Sequence, residues 1–198
     1  MALLRPLPKP IRIIDVGGTV PFWAQIGSIE DFEVTIVNLF PQESEHPRVR
    51  AVVGDARDLS AFGDGSFDVA FSNSVIEHLP RLEDQCRVAA ELRRVGRRIW
   101  LQTPNRRFPL EPHFLFPFFQ YLPISARVFL LRRMDLGWFK REPDAAAARR
   151  MVESIRLMTA GELRACLPGG RILTERFLGL PKSFVVLDGW SEATSDPR

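Results

Sequence analysis

Cysteine is scarce in this chain: Cys86 and Cys166 are the only two among 198 residues. They lie far apart with no metal-like spacing, which excludes a disulfide-stapled scaffold or a zinc ribbon. A reducing cytoplasm is the expected compartment on that ground. Long apolar runs are missing as well. No stretch reaches the roughly 18 apolar residues that a membrane-spanning helix needs. Prolines and basic residues interrupt the opening MALLRPLPKPIRIIDVGG, so it has no signal-peptide h-region. Lysine is nearly absent, with Lys9, Lys140 and Lys182 the only ones among 27 basic residues. A net charge of +3 is too small for the basic stripe of a nucleic-acid binder, so no nucleic-acid partner is expected. The arginines between Arg81 and Arg107 read first as the solvated face of a helix, otherwise as an anionic-ligand or membrane-surface patch. Composition also excludes collagen, coiled coil and disorder.

What is present suits a single domain over 1–198, since 45% hydrophobic residues can build a core at this length. The first half alternates strands and helices. Arg12 to Val16 is an apolar run closed by Gly17-Gly18, and Phe22 to Ile29 reads as a short helix. Strands follow at Glu33 to Asn38, Val49 to Val53 and Phe67 to Ser72. Leu82, Cys86, Ala89 and Leu92 recur at helical spacing, which predicts an amphipathic helix over Arg81 to Val95, and Arg98 to Thr103 is the next strand. Such alternation predicts an α/β fold, a mostly parallel sheet with helices on both faces.

From 104 to 143 the rhythm breaks. Seven of the fifteen phenylalanines fall there, with prolines at 112, 117 and 123, so this segment is an apolar insertion with few strands. Apolar residues on every side argue against plain solvent exposure, and the prolines against a straight helix. Three uses stay open, in order: a lid over an apolar acceptor, a homodimer contact, and a peripheral membrane foot. Beyond it, Asp144 to Met158 reads as helical. Thr159 to Glu162 reads as a capping box opening a helix that ends near Leu167. Two closing strands follow at Ile172 to Leu178 and Ser183 to Leu187. Residues 1–10 are an extension, and 191–198 a polar tail expected to fray.

In an open parallel sheet, ligands meet the carboxyl ends of the strands. Those ends are Asp15-Val-Gly-Gly-Thr19, Asn38-Leu39, Gly54-Asp55-Ala56, Ser72-Asn73 and Thr103-Pro-Asn105, each small or polar. On IIDVGGT (13–19), VGDARDL (53–59) and GSFDVAFSNSVIEHL (65–79), the chain resembles the class I S-adenosylmethionine-dependent methyltransferases, in particular the small type 11 group. The resemblance continues through RRVGRRIWLQTPNRRFPLEPHF (93–114). It implies a Rossmann-like seven-stranded sheet whose last strand runs antiparallel beside the sixth. It implies S-adenosyl-L-methionine as cofactor and methyl transfer to a small, apolar or lipid-linked acceptor.

By the same resemblance, Asp15 orients the cofactor's methionine end, while Gly17, Gly18 and Thr19 let the backbone approach. Asn38 and Leu39 flank the ribose, Asp55 meets the adenine amino group with Ala56 beside the ring, and Ser72 and Asn73 line the sulfonium end. Two departures stand out. Thr19 and Pro21 occupy positions where the family has glycine, and Asn38 replaces the usual acid. Both favour the rival of another class, a non-catalytic binding or scaffolding protein on the same fold. A nucleotide-dependent oxidoreductase is disfavoured, because the Gly-x-Gly-x-x-Gly turn is absent.

Glu111 and His113 follow the fifth strand, where an acceptor would sit, and are the catalytic candidates. His113 is the base, and Glu111 orients it if Pro112 bends the chain. Glu77 and His78 read as packing or capping as readily as substrate contact. Asp68 reads as structural, His46 as an exposed loop residue, and the tryptophans as packing, with Trp23 the best exception. No His/Asp/Cys cluster has ligand spacing, so no metal is expected.

Overall fold

The computed structural model describes residues 2–26 and 29–190. Its elements, after a 3-10 turn at Ala2–Leu4, are β1 (Ile11–Val16), α1 (Val20–Ala24), β2 (Phe32–Asn38), β3 (Val49–Val53) and β4 (Val69–Asn73). Then come α2 (Leu82–Val95), β5 (Ile99–Pro104), β6 (Leu110–Glu111), β7 (Phe116–Pro117) and α3 (Ile124–Leu131). The chain closes with α4 (Ala145–Glu153), α5 (Ala160–Cys166), β8 (Arg171–Phe177) and β9 (Leu180–Asp188).

Seven strands form one Rossmann-like sheet in the order β3-β2-β1-β4-β5-β9-β8. The first five pair in parallel, and β9 runs antiparallel between β5 and β8. This is the expected fold class. Strand order reverses between β1 and β4, so the crevice beyond their carboxyl ends is where ligands bind in such sheets.

Alternation of side chains along each strand splits the core into two layers. Ile14 and Val16 of β1, Ala70 of β4 and Leu101 of β5 face α2 and α5. Val88, Ala89, Leu92 and Val95 give α2 a buried stripe at helical spacing. Glu83 and Asp84 sit in its first turn and Arg93 and Arg94 in its last, as the helix dipole favours. On the other face Ile11, Ile13, Val34, Ile36 and Val69 pack with Leu7 and Trp23.

Several expectations need correction. The first helix spans five residues rather than Phe22 to Ile29. Thr19 and Pro21 start it, and Trp23 is drawn down onto the sheet, where it is 4% exposed. The insertion carries a minimal hairpin, β6 with β7, and an eight-residue helix, α3. Its aromatics build a satellite core: Phe114 stacks on Phe119 at 4.2 Å and on Phe139 at 4.6 Å, against Leu131, Ala148 and Val152. Helix α4 stops at Glu153, well short of Met158, and Asp144 caps it by accepting from the Ala147 amide at 2.7 Å. Thr159 and Glu162 do form the capping box. Arginines of α2 are partly spent on cross-links instead of facing solvent. Arg93 pairs with Asp188, and Arg94 with Glu91, Asp64 and the Phe62 and Leu59 carbonyls.

The largest correction concerns the cysteines. Cys86 on α2 and Cys166 on α5 form a disulfide across the helix pair. The expectation of a reducing compartment rested on their being unpaired, and the pairing removes that support. Among the described residues no helix is long and apolar enough to cross a membrane. The 191–198 tail lies outside the described residues.

Candidate functional site

The turn after β1 is built around one buried carboxylate. Asp15 is 2% exposed, and its Oδ2 accepts a hydrogen bond from the Trp23 indole at 2.7 Å. The carboxylate lies so close beneath Gly18 that a Cβ there would stand 1.8 Å from Oδ2. Gly17 has φ +83 and packs against Val75 of the loop after β4, so the two loops at the crevice hold each other. Thr19 is exposed and serves α1 as its N-cap residue. Burial raises the Asp15 pKa to about 7, although the Trp23 hydrogen bond works the other way.

That shift fixes a sign. Between roughly pH 4 and 7 the folded chain keeps a proton on Asp15 that the unfolded chain has released, so stability falls as pH rises through that window. Glu77, raised to about 7 chiefly by burial, adds in the same direction. Melting temperature is expected to be several degrees lower at pH 8 than at pH 5. Asp15→Asn, which keeps an acceptor for Trp23, should flatten part of that slope in calorimetry. An unchanged slope would contradict the burial argument.

Asn38 turns inward. Its Nδ2 donates to the Gly18 carbonyl at 2.9 Å and more weakly to that of Gly17 at 3.4 Å. Gln42, which the sequence reading did not single out, donates to the same Gly18 oxygen at 3.0 Å and accepts from the Val20 amide at 2.9 Å. An amide at position 38 is therefore the residue this turn requires. Asn38→Asp would aim a carboxylate at two carbonyl oxygens. It should weaken turn and ligand affinity by about 1–3 kcal/mol, measured by thermal denaturation and ligand titration. Equal affinity would show that Asn38 faces the cleft instead.

The ends of β2 and β3 are open. Leu39 and Phe40 are 64% and 72% exposed, and Val53 is 59% exposed. Asp55 follows at the rim, paired through its carboxylate with Arg57 at 2.6–3.1 Å, which holds its pKa below the usual carboxylate range. Ala56 packs partly on the core. Ser72 is buried and its hydroxyl donates to the Val16 carbonyl at 3.1 Å, tying β4 to β1, whereas Asn73 is exposed. The turn glycines, Leu39, Asp55 and Asn73 thus share the carboxyl edge, while the side chains of Asp15, Asn38 and Ser72 are used inside the protein.

Beyond β4 and β5 lies a pocket of about 330 Å³. Ser74, Gln102 and Pro104 form its sheet side, and Phe108, Leu110, Pro112 and Leu115 of the insertion form its apolar wall. Ser74 (φ 54) and Leu115 (φ 48) both adopt left-handed backbone, a costly conformation for such residues and one that clusters at binding sites. Phe114 and Phe119 line a different cleft of about 490 Å³, which Arg81, Arg106 and Arg127 border. Phe118, Tyr121 and Phe129 are more than half exposed.

Four titratable side chains that the sequence treats in pairs stand together where the insertion meets the segment after β4, and one of them, Glu111, lines the larger cleft. Glu111 is 2% exposed and folds back over its own turn. It accepts from the amides of His113 and Phe114 and meets His113 Nδ1 at 2.8 Å. Burial lowers the His113 pKa, but the Glu111 hydrogen bond and charge outweigh it and the net shift is upward. The His78 ring packs edge-on against His113, centroids 5.1 Å apart. Glu77, fully buried, accepts from the Thr103 hydroxyl at 2.9 Å. Glu77, His78 and His113 each offer a ligand atom, all within 4.8 Å of one another. The grouping is one that ligand spacing along the chain does not show, because the insertion carries His113 back to the end of β4.

Residues 19–98 match the methyltransferase domain family of type 11. Over that stretch the chain is similar to a methyltransferase domain of that group. An uncharacterised protein of Mycobacterium tuberculosis is 27% identical over 136 residues, covering 63% of this chain and 46% of that protein. The chain spans about half the length of the curated relatives it matches. A Mesorhizobium loti S-adenosylmethionine-dependent methyltransferase shares the fold at TM-score 0.57 and 15% identity, each chain covered to 94%. A Rhodobacter sphaeroides chain described as a Zn-dependent alcohol dehydrogenase superposes at TM-score 0.58 and 12% identity, covering 93% of this chain and 85% of that one. Likeness at such identity shows the fold alone.

Proposed function

We propose that the protein transfers a methyl group from S-adenosyl-L-methionine to a small, apolar or lipid-linked acceptor. The supporting observation is a shared sheet edge: the Gly17-Gly18 turn, exposed Leu39, Asp55 and Asn73 follow the carboxyl ends of β1 to β4, and an apolar pocket lies beyond the same ends of β4 and β5. The residues suit the cofactor. Exposed apolar Leu39 and Phe40 offer a surface for a base, with Asp55 beside them as an acceptor for its amino group. Asn73 and the backbone of the glycine turn would take the amino-acid end. Asp15 and Asn38 act as positioning residues that hold the turn. When bound, the cofactor supplies an electrophilic methyl carried on a sulfonium.

Methyl transfer depends above all on alignment of acceptor and methyl group. The insertion wall provides that by enclosing an apolar acceptor against Ser74 and Gln102. With Nδ1 engaged by Glu111, His113 would use Nε2 as the proton acceptor. The test is label transfer from radioactive cofactor to a panel of apolar phenols and alcohols. Wild type should label one class, and His113→Ala should lose about a hundredfold in turnover while S-adenosylhomocysteine affinity stays intact. Cofactor binding without any labelled apolar product would overturn the acceptor class. Absence of both would favour the scaffolding reading, which the inward use of Asp15 and Asn38 supports.

A further inference from the structure

We infer that Glu77, His78 and His113 form a binding site for one divalent transition-metal ion. A carboxylate oxygen and two imidazole nitrogens, one from each residue, lie within 4.8 Å of one another, close enough to converge on a single ion. A second, independent observation points to a ligand. Glu77 is 0% exposed, Thr103 satisfies its Oε2, and its Oε1 is a buried oxygen with no hydrogen-bond partner. Leaving a buried carboxylate oxygen unpaired is costly, and an ion removes that cost.

The surroundings have the features of a metal centre. His113 is oriented through Nδ1 by Glu111, so Nε2 is the nitrogen with the free lone pair, the arrangement in which a carboxylate fixes a ligating histidine. Glu111 is itself pinned by the His113 and Phe114 amides, which makes the orientation rigid. His78 is exposed, so an ion has a way in from solvent. Two imidazoles with one carboxylate select a borderline first-row cation, Zn²⁺ first, over Mg²⁺. Three protein ligands would leave at least one coordination position open. The His113 lone pair then has two exclusive uses, proton acceptor in the free chain and ligand in the loaded one.

The test needs no methyl donor, so its failure leaves the methyl-transfer reading standing, and the reverse also holds. The unreduced, chelator-stripped chain is titrated with Zn²⁺ against a chromophoric chelator, and with Co²⁺ by absorption spectroscopy. One equivalent should bind, and Co²⁺ should give the visible bands of a nitrogen- and oxygen-ligated ion. Glu77→Gln and His113→Ala should lose binding, and Glu111→Gln should weaken it about tenfold to a hundredfold. Because Glu77 is buried, His78→Ala serves as the variant least able to disturb folding, and it too should lose the site. Excess Mg²⁺ should not displace Zn²⁺. No stoichiometric binding, or undiminished binding in His78→Ala and His113→Ala, would overturn the proposal.

Discussion

Adding one methyl group at Gly18 should do more damage than its size suggests. The new Cβ would sit 1.8 Å from Asp15 Oδ2 and 2.2 Å from its Cγ. The carboxylate has nowhere to retreat, since it is buried and holds the Trp23 indole. Gly18→Ala must therefore push the turn outward or break the Asp15–Trp23 bond. Either change should cost about 3 kcal/mol, the upper part of the overpacking range, and abolish binding of S-adenosylhomocysteine. Thermal denaturation and calorimetric titration measure the two effects. The double variant Gly18→Ala/Asp15→Ala removes the obstructing group and should recover part of the lost stability. A single variant that melts and binds like wild type would contradict the packing.

The second large effect belongs to the Cys86–Cys166 bridge. It joins residues 80 positions apart, so reduction restores a long, free loop to the unfolded chain. In the chain-entropy picture a closure of that length is worth about 2–5 kcal/mol. Cys86→Ser/Cys166→Ser should lower the melting temperature, and a phosphine reductant should lower that of wild type to match. The variant itself should not respond to reductant. Two titratable thiols in unreduced wild type, with no shift on reduction, would contradict the bridge.

Strands and the helix α2 were legible because their signals are local. Val-Thr-Ile-Val in β2 and the helical spacing of Leu82, Cys86, Ala89 and Leu92 declare their periods within a few residues, although Val88 and Val95 are buried where Leu82 and Cys86 are only half-buried. The carboxyl-edge residues were legible for the same reason, each lying at the end of such a run. What escaped depends on tertiary placement. Cys86 and Cys166 look unrelated until α2 and α5 pack side by side. The Glu77, His78 and His113 cluster needs the insertion to fold back. The inward use of Asn38 follows from Gln42 and the Gly18 carbonyl, partners that periodicity does not mark. Trp23 shortened α1 by anchoring to Asp15, overriding the helical pattern toward Ile29.

We propose that the cofactor sits on the carboxyl edge between the β1 turn and the ends of β2, β3 and β4. Titration of the uniformly ¹⁵N-labelled protein with S-adenosylhomocysteine, followed by amide chemical shifts, tests it most directly. Saturable shifts centred on Gly17, Gly18, Leu39, Asp55, Ala56 and Asn73 are the expected result. No saturable shift, or shifts confined to the opposite end of the sheet, would contradict it.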